Sequence, residues 1–176
     1  MRYFKVLSIV TFSMIALFLI VAVFMPSEFL LERTVSINKP ITEVFEQVAD
    51  LNNFNKWNSW TSMEPSAYKP VEGSRGVGQV SAWDGDTVGV GSLKVTRIDE
   101  NSFIGQEITF LKPWESQTKL YFKFRQVGEA TEVTWGMDMK LSYPFERIMR
   151  VKLESELGKS FNEGLSNLKK LCEQNK

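Results

Sequence analysis

Leu120, Phe122 and Phe124 alternate with Tyr121, Lys123 and Arg125. Val133, Trp135, Met137, Met139 and Leu141 alternate with Glu132, Thr134, Gly136, Asp138 and Lys140. A period of two with one apolar and one polar face describes an antiparallel sheet covered on one side only. Ile104, Ile108 and Phe110, with Gln106 among them, continue the inner face one segment earlier. Turn signals at Asp84-Gly85-Asp86, Asp99-Glu100-Asn101, Pro113 and Gly128-Glu129 divide the region into strands over residues 78–83, 88–98, 102–111, 117–127 and 131–141. Such a sheet needs a cover. Ile148, Met149, Leu153, Leu157, Phe161, Leu165, Leu168 and Leu171 recur at helical spacing over about seven turns and supply one. Gly158 and Gly164 interrupt that stripe, and an interior glycine costs ~1 kcal/mol against alanine, so each marks close packing on the sheet.

The preceding stretch completes the layer. Arg33-Thr34-Val35-Ser36-Ile37 alternates as a strand, and Pro40 suits the first turn of a helix. Ile41, Val44, Phe45, Val48 and Ala49 form one apolar helical face. Asp50-Leu51-Asn52-Asn53 breaks it, and residues 54–60, aromatic and polar by turns, read as a short second helix or turn. A one-faced sheet and a one-striped helix satisfy each other in a layered α+β domain.

Residues 6–25 contain no charge and only Ser8, Thr11 and Ser13 as polar side chains. As a helix, about 20 residues span roughly 30 Å, one hydrocarbon core. Arg2 and Lys5 precede the run; Glu28, Glu32 and Arg33 follow it. The positive-inside rule puts the N-terminus in the cytoplasm and the remainder outside it. A cleaved signal peptide is the competing reading, but its apolar core is ordinarily ~7–15 residues and ends in small residues; Ala22-Val23-Phe24-Met25 offers no such site. The expected division is an anchor over residues 1–28 and a domain over 29–176.

Composition removes much enzyme chemistry. The chain has no histidine and one cysteine, which excludes His-dependent triads, His-ligated zinc and intramolecular disulfides. Past the N-terminal run the charge is close to balanced, a poor match for nucleic acid. The glycines at 73, 76, 78, 89 and 91 precede strands, so they form no phosphate-binding loop. No metal-ligand spacing and no cofactor motif is present. Asp84 and Asp86 read as turn formers, Glu107 points to water by its alternation, and Cys172 reads as a small buried hydrophobe.

At this level the chain resembles the START/SRPBCC superfamily, within it the polyketide cyclase/dehydrase-like group. The features run over residues 32–173: residues 33–40 leading into Val44-Phe45; Asp50-Leu51-Asn52-Asn53 into Trp57-Asn58-Ser59-Trp60; Gly76-Val77-Gly78 before Trp83-Asp84-Gly85; residues 131–135; and residues 161–169. The resemblance implies a helix-grip fold, a bent antiparallel sheet gripping the C-terminal helix with a cavity between. The superfamily spans lipid carriers, receptors, aromatase/cyclases and chaperone co-activators, so it does not fix function.

The cavity expected between sheet and C-terminal helix is lined by Phe110, Leu120, Phe122, Phe124, Trp135, Met137 and Met139 from strands and by Met149, Leu153, Leu157 and Phe161 from the helix. Gln106 is the polar residue placed to orient a ligand, or to hold a water. An ordinary packed core is the competing reading of the same residues. Trp57, Trp60, Trp83 and Trp114 lie in or beside turns, at a cavity mouth or packed at edges. No catalytic residue is assigned. The reading these features favour is a membrane-anchored binding protein for a lipid or other hydrophobic small molecule, its protein partners unknown. The alternatives are a cyclase/dehydratase-like enzyme on an aromatic substrate and an envelope interaction module.

Overall fold

A computed structural model describes residues 2–174. Met1, Asn175 and Lys176, which the expected division includes, lie outside the described residues, as does the side chain of Arg2. Helix α1 (Arg2–Phe24) leaves most of its side chains exposed and is long and apolar enough to cross a membrane.

Strands β1 (Glu28–Ile37), β2 (Val80–Gly85), β3 (Gly89–Asp99), β4 (Phe103–Lys112), β5 (Ser116–Val127) and β6 (Ala130–Lys140) form one antiparallel sheet in the order β1-β6-β5-β4-β3-β2. The five later strands lie where the turn signals put them. β1 begins earlier than the alternation from Arg33 indicates. Phe29 and Leu31 point into the core while Leu30 is exposed, and three successive apolar residues conceal a period of two. An irregularity between Val95 and Arg97 bends the β3–β4 ribbon, as an extra residue on one strand does.

Helices α2 (Ile41–Ala49), α3 (Leu51–Trp57) and α4 (Ser59–Met63) follow β1. The Asp50 side chain caps α3 by accepting from the Asn52 N–H at 2.9 Å. Buried Gln79 locks this corner to the sheet: its Oε1 accepts from the Leu51 N–H at 2.8 Å and its Nε2 donates to Asp50 at 2.9 Å.

The C-terminal stripe is interrupted. α5 (Phe145–Ile148) ends at Met149, and α6 (Arg150–Gln174) starts after it. Met149 leaves the stripe, at 46% exposed, while Ile148 is half-buried. From Phe161 onward the stripe is as read, with Phe161, Leu165, Leu168 and Cys172 buried. Phe161 lies flat on Trp135, the ring centroids 4.1 Å apart. A Cβ at Gly164 would meet the Trp135 ring at 2.9 Å, and Gly158 faces the Arg33 guanidinium, so both glycines mark close approach. The molecule is an α+β helix-grip domain preceded by one apolar helix.

Candidate functional site

The inner face of the sheet has two regions. Over β5, β6 and β1 it is filled. Phe54, Trp57, Phe122, Trp135 and Phe161 form a continuous aromatic stack, with Trp135 at 5.0 Å from Phe122 and 5.7 Å from Trp57. Over β2, β3 and β4 the cover is the short helices α3 and α4 with the turn at Pro65–Ala67, and a cavity of about 280 Å³ remains.

Its floor follows from the register. Ser81 pairs with Leu93 and Leu93 with Ile108; Trp83 pairs with Gly91 and Gly91 with Phe110. Gly91 is required here, because a Cβ would meet the Trp83 indole at 2.6 Å. Trp83, Phe110 and Tyr68 form an aromatic cluster at one end, Trp83 lying 5.7 Å from each. Phe54, Trp60 and Met63 form the roof.

Polar groups are few. Asn55 Nδ2 donates to Ser81 Oγ at 2.8 Å, which leaves the buried Asn55 Oδ1 with no partner among the described residues. Asn58 Oδ1 caps α4 by accepting from the Trp60 N–H. Tyr68 is the one titratable side chain lining the cavity. Burial raises its phenol above the ordinary value, against a hydrogen bond with the Thr61 side chain that lowers it, so it is neutral at physiological pH.

The mouth is held by Glu64. Its carboxylate accepts from the N–H groups of Asp86, Thr87 and Val88 at 3.2, 2.9 and 3.1 Å, tying the β2–β3 turn to the segment after α4. These bonds, Thr87 and Val88 foremost, hold its pKa below the ordinary carboxylate value.

Of the residues expected at the site, Phe110, Leu120, Trp60 and Trp83 line this cavity. Phe122, Trp135, Met137, Phe124 and Phe161 are buried but lie outside it, because the Trp135–Phe161 stack closes the space between sheet and α6. Met139, Leu153 and Leu157 pack half-buried against the core, also outside the cavity. Met149 sits at the α5–α6 break. Trp57 is 2% exposed and donates from Nε1 to Gln47 O at 2.8 Å, a core role rather than a mouth. Trp114 is 80% exposed between β4 and β5. Gln106 is buried one row deeper than Ile108, between Val95 and Leu120, outside the cavity wall, with neither amide atom partnered. The lining residues not expected at the site from the sequence are Phe54, Asn55, Asn58, Met63, Tyr68, Ser81, Thr87, Val88, Leu93 and Ile108. Ser81 was legible, since it shares the inner face with Trp83; Leu93 and Ile108 follow it across β3 and β4, and the others are brought together by α3, α4 and the turns.

The cavity lies at a particular end of the sheet. Glu28 pairs with Lys140, Lys119 with Asp138, Phe110 with Ser116, Val90 with Lys112 and Gly85 with Gly89. These pairs mark the end at which the chain arrives from α1, and Trp83, Val88 and Phe110 belong to it.

A bent sheet over a terminal helix, with an apolar cavity under short helices, can be compared with known proteins. The family model described as polyketide cyclase/dehydrase and lipid transport matches residues 28–173. The chain belongs to that family. No curated protein matches it. Among solved structures, a protein from Thermobifida fusca aligns with a TM-score of 0.61 at 19% identity, covering 82% of this chain and 93% of that one. Protein MLL2253 from Mesorhizobium loti aligns at 0.59 and 12%, covering 85% and 98%. DynU16, a protein in the dynemicin biosynthetic locus, aligns at 0.58 and 16%, covering 84% of this chain; the chain spans about half of its length, 48%. Identities this low show the fold. In this member of the polyketide cyclase/dehydrase and lipid transport family, α1 lies outside the matched residues.

Proposed function

We propose that the protein is a membrane-anchored binding protein for a lipid or other hydrophobic small molecule, held in the cavity beneath α3 and α4. The observation that carries the proposal is the cavity wall: mostly apolar and aromatic, with the buried, unpartnered acceptor Asn55 Oδ1 as its orienting group. That balance suits a hydrophobic ligand with one or two polar atoms. No carboxylate or cationic side chain lines the cavity, which favours binding over acid–base turnover as the role of this site. The family description, which names lipid transport beside cyclases, supports the same reading. So does α1: with residues 6–25 as anchor, the N-terminus cytoplasmic and the domain outside, the cavity end of the sheet faces the bilayer from which such ligands come.

The test fills the cavity. Ile108→Phe adds volume into the void from a strand position that tolerates aromatics. The full chain, extracted from membranes in mild detergent, should carry a small molecule by native mass spectrometry, and Ile108→Phe should lose it while its melting temperature holds or rises. A ligand retained at full occupancy by the stably folded variant would sink the proposal.

A further inference from the structure

The segment joining β6 to α6 packs against α1. The Phe145 ring lies 5.5 Å from that of Phe18, and Tyr143 Oη donates to the Leu19 carbonyl at 3.1 Å. Phe18 and Leu19 precede the end of α1 at Phe24, so at ~1.5 Å per residue this contact lies about 8–9 Å back along the helix axis. If α1 crosses a hydrocarbon core of ~30 Å, Tyr143 and Phe145 stand below the level at which the chain leaves the bilayer.

The side chains of this segment match that position. Phe145 is 69% exposed, Met149 46% and Val151 78%. The folded domain leaves them uncovered next to a helix whose own surface is apolar. Cations flank them: Arg147 lies over the Tyr143 ring at 5.7 Å, and Arg150 and Lys152 alternate with Met149 and Val151. Glu146 is the only carboxylate among residues 141–152, and it is engaged in accepting the Ser142 N–H at 2.6 Å. Apolar side chains at acyl depth, with cations beside them that can reach the phosphates, describe an interfacial contact with anionic lipid.

We infer that residues 141–152 form a second membrane contact, a foot that docks the domain onto a bilayer carrying anionic headgroups. Two contacts, α1 and the foot, fix the tilt of the domain, where α1 alone leaves it free to swing. The inference rests on the reading of α1 as a membrane anchor, and the experiment separates the two.

The full chain is reconstituted into vesicles of brominated phosphatidylcholine, with and without phosphatidylglycerol, and floated on a density gradient. Tryptophan is introduced at the foot by Phe145→Trp and, as a second and more exposed position, Val151→Trp. Glu129→Trp, at the β5–β6 turn on the opposite end of the sheet, is the reference. Read as the difference from the unsubstituted chain, whose five tryptophans include the exposed Trp114, the added emission at 145 and 151 should be quenched by the bromine atoms and that at 129 spared. Combining Arg150→Gln with Lys152→Gln should lower the docked-to-undocked ratio in phosphatidylglycerol vesicles roughly tenfold or more. Chains that float with emission at 145 and 151 unquenched, or quenched no more than at 129, overturn the foot and leave the anchor standing. Chains that fail to float overturn the anchor, and the foot with it. Quenching indifferent to phosphatidylglycerol and to the paired neutralisation overturns the anionic partner.

Discussion

Gln106 shows how far a single residue can be read from its position in a pattern. Its place among Ile104, Ile108 and Phe110 puts it on the inner face, and it is there, 1% exposed. Whether it meets a ligand depends on where the void lies along that face, and the void begins one row away. A buried amide with neither atom partnered is costly, so Gln106→Leu, which keeps the approximate volume, is expected to stabilise the fold by about 1 kcal/mol. Thermal denaturation checks this, and a lower melting temperature would show that the amide is satisfied in solution. Glu64 carries the opposite lesson: nothing in its neighbourhood marks it, yet it holds the cavity mouth through three backbone N–H groups. Its folded pKa lies below the ordinary 4.5, so its contribution is complete above that value and is lost as pH falls through the lowered one. The amide resonances of Thr87 and Val88 should therefore shift together with a midpoint below 4.5. A midpoint at or above 4.5 would contradict the arrangement. Cys172 behaves as its apolar position indicates: burial pushes its thiol up to about 11, which removes thiolate reactivity at neutral pH.

At the scale of elements, strands and helices were the most legible part of the chain, because each carries its period locally. β2 to β6 and α2 follow directly from alternation and spacing. The failures come where a period is masked or where an interruption has no local signature. Phe29-Leu30-Leu31 hides the start of β1, and the break at Met149 carries no glycine or proline of its own. The glycines of α6 illustrate a signal that local reasoning does carry. Helix propensity alone says that Gly164→Ala should help. The Trp135 ring, 2.9 Å from the added Cβ and held in stacks with Phe161 and Phe122, says otherwise. Overpacking of this kind costs about 1–3 kcal/mol, which exceeds the ~1 kcal/mol gained in propensity. Gly164→Ala is expected to lower the midpoint of chemical denaturation, and an unchanged or higher midpoint would mean that the stack can shift.

For the whole molecule, the expected division between α1 and the domain can be tested by truncation. The domain core closes without α1: Phe29, Leu31 and Ile37 of β1 pack with α2, α6 and the sheet, and the Leu141 N–H donates to Ser27 O at 2.7 Å. Among the described residues the ties to α1 include the Phe18–Phe145 contact, the Tyr143 hydrogen bond and the burial of Ala22, which is 0% exposed. One exposed hydrogen bond contributes about 1 kcal/mol, so a chain starting at Ser27 should fold with a melting temperature within about 5 °C of the full domain, and high salt should release it from membranes that retain the full chain. Circular dichroism and fractionation check both parts. A truncated chain that is unfolded would make α1 a structural element of the domain, and the family match from residue 28 argues against that.

Local periodicity is a property of neighbouring residues, so the sequence alone determined the layer order, the inner faces of β4, β5 and β6, the α+β class and the span of an apolar helix. A cavity is a failure of packing between distant elements, and no period records it. Phe122, Trp135 and Phe161 have the same apolar, aromatic character as Phe110 and Trp83. The first three fill space because α6 lies flat on β6, and the last two border a void because α3 and α4 are too short to cover β3 and β4. Which aromatic residues form core and which form wall was therefore decided by the tertiary structure, through the reach of the helices that cover them.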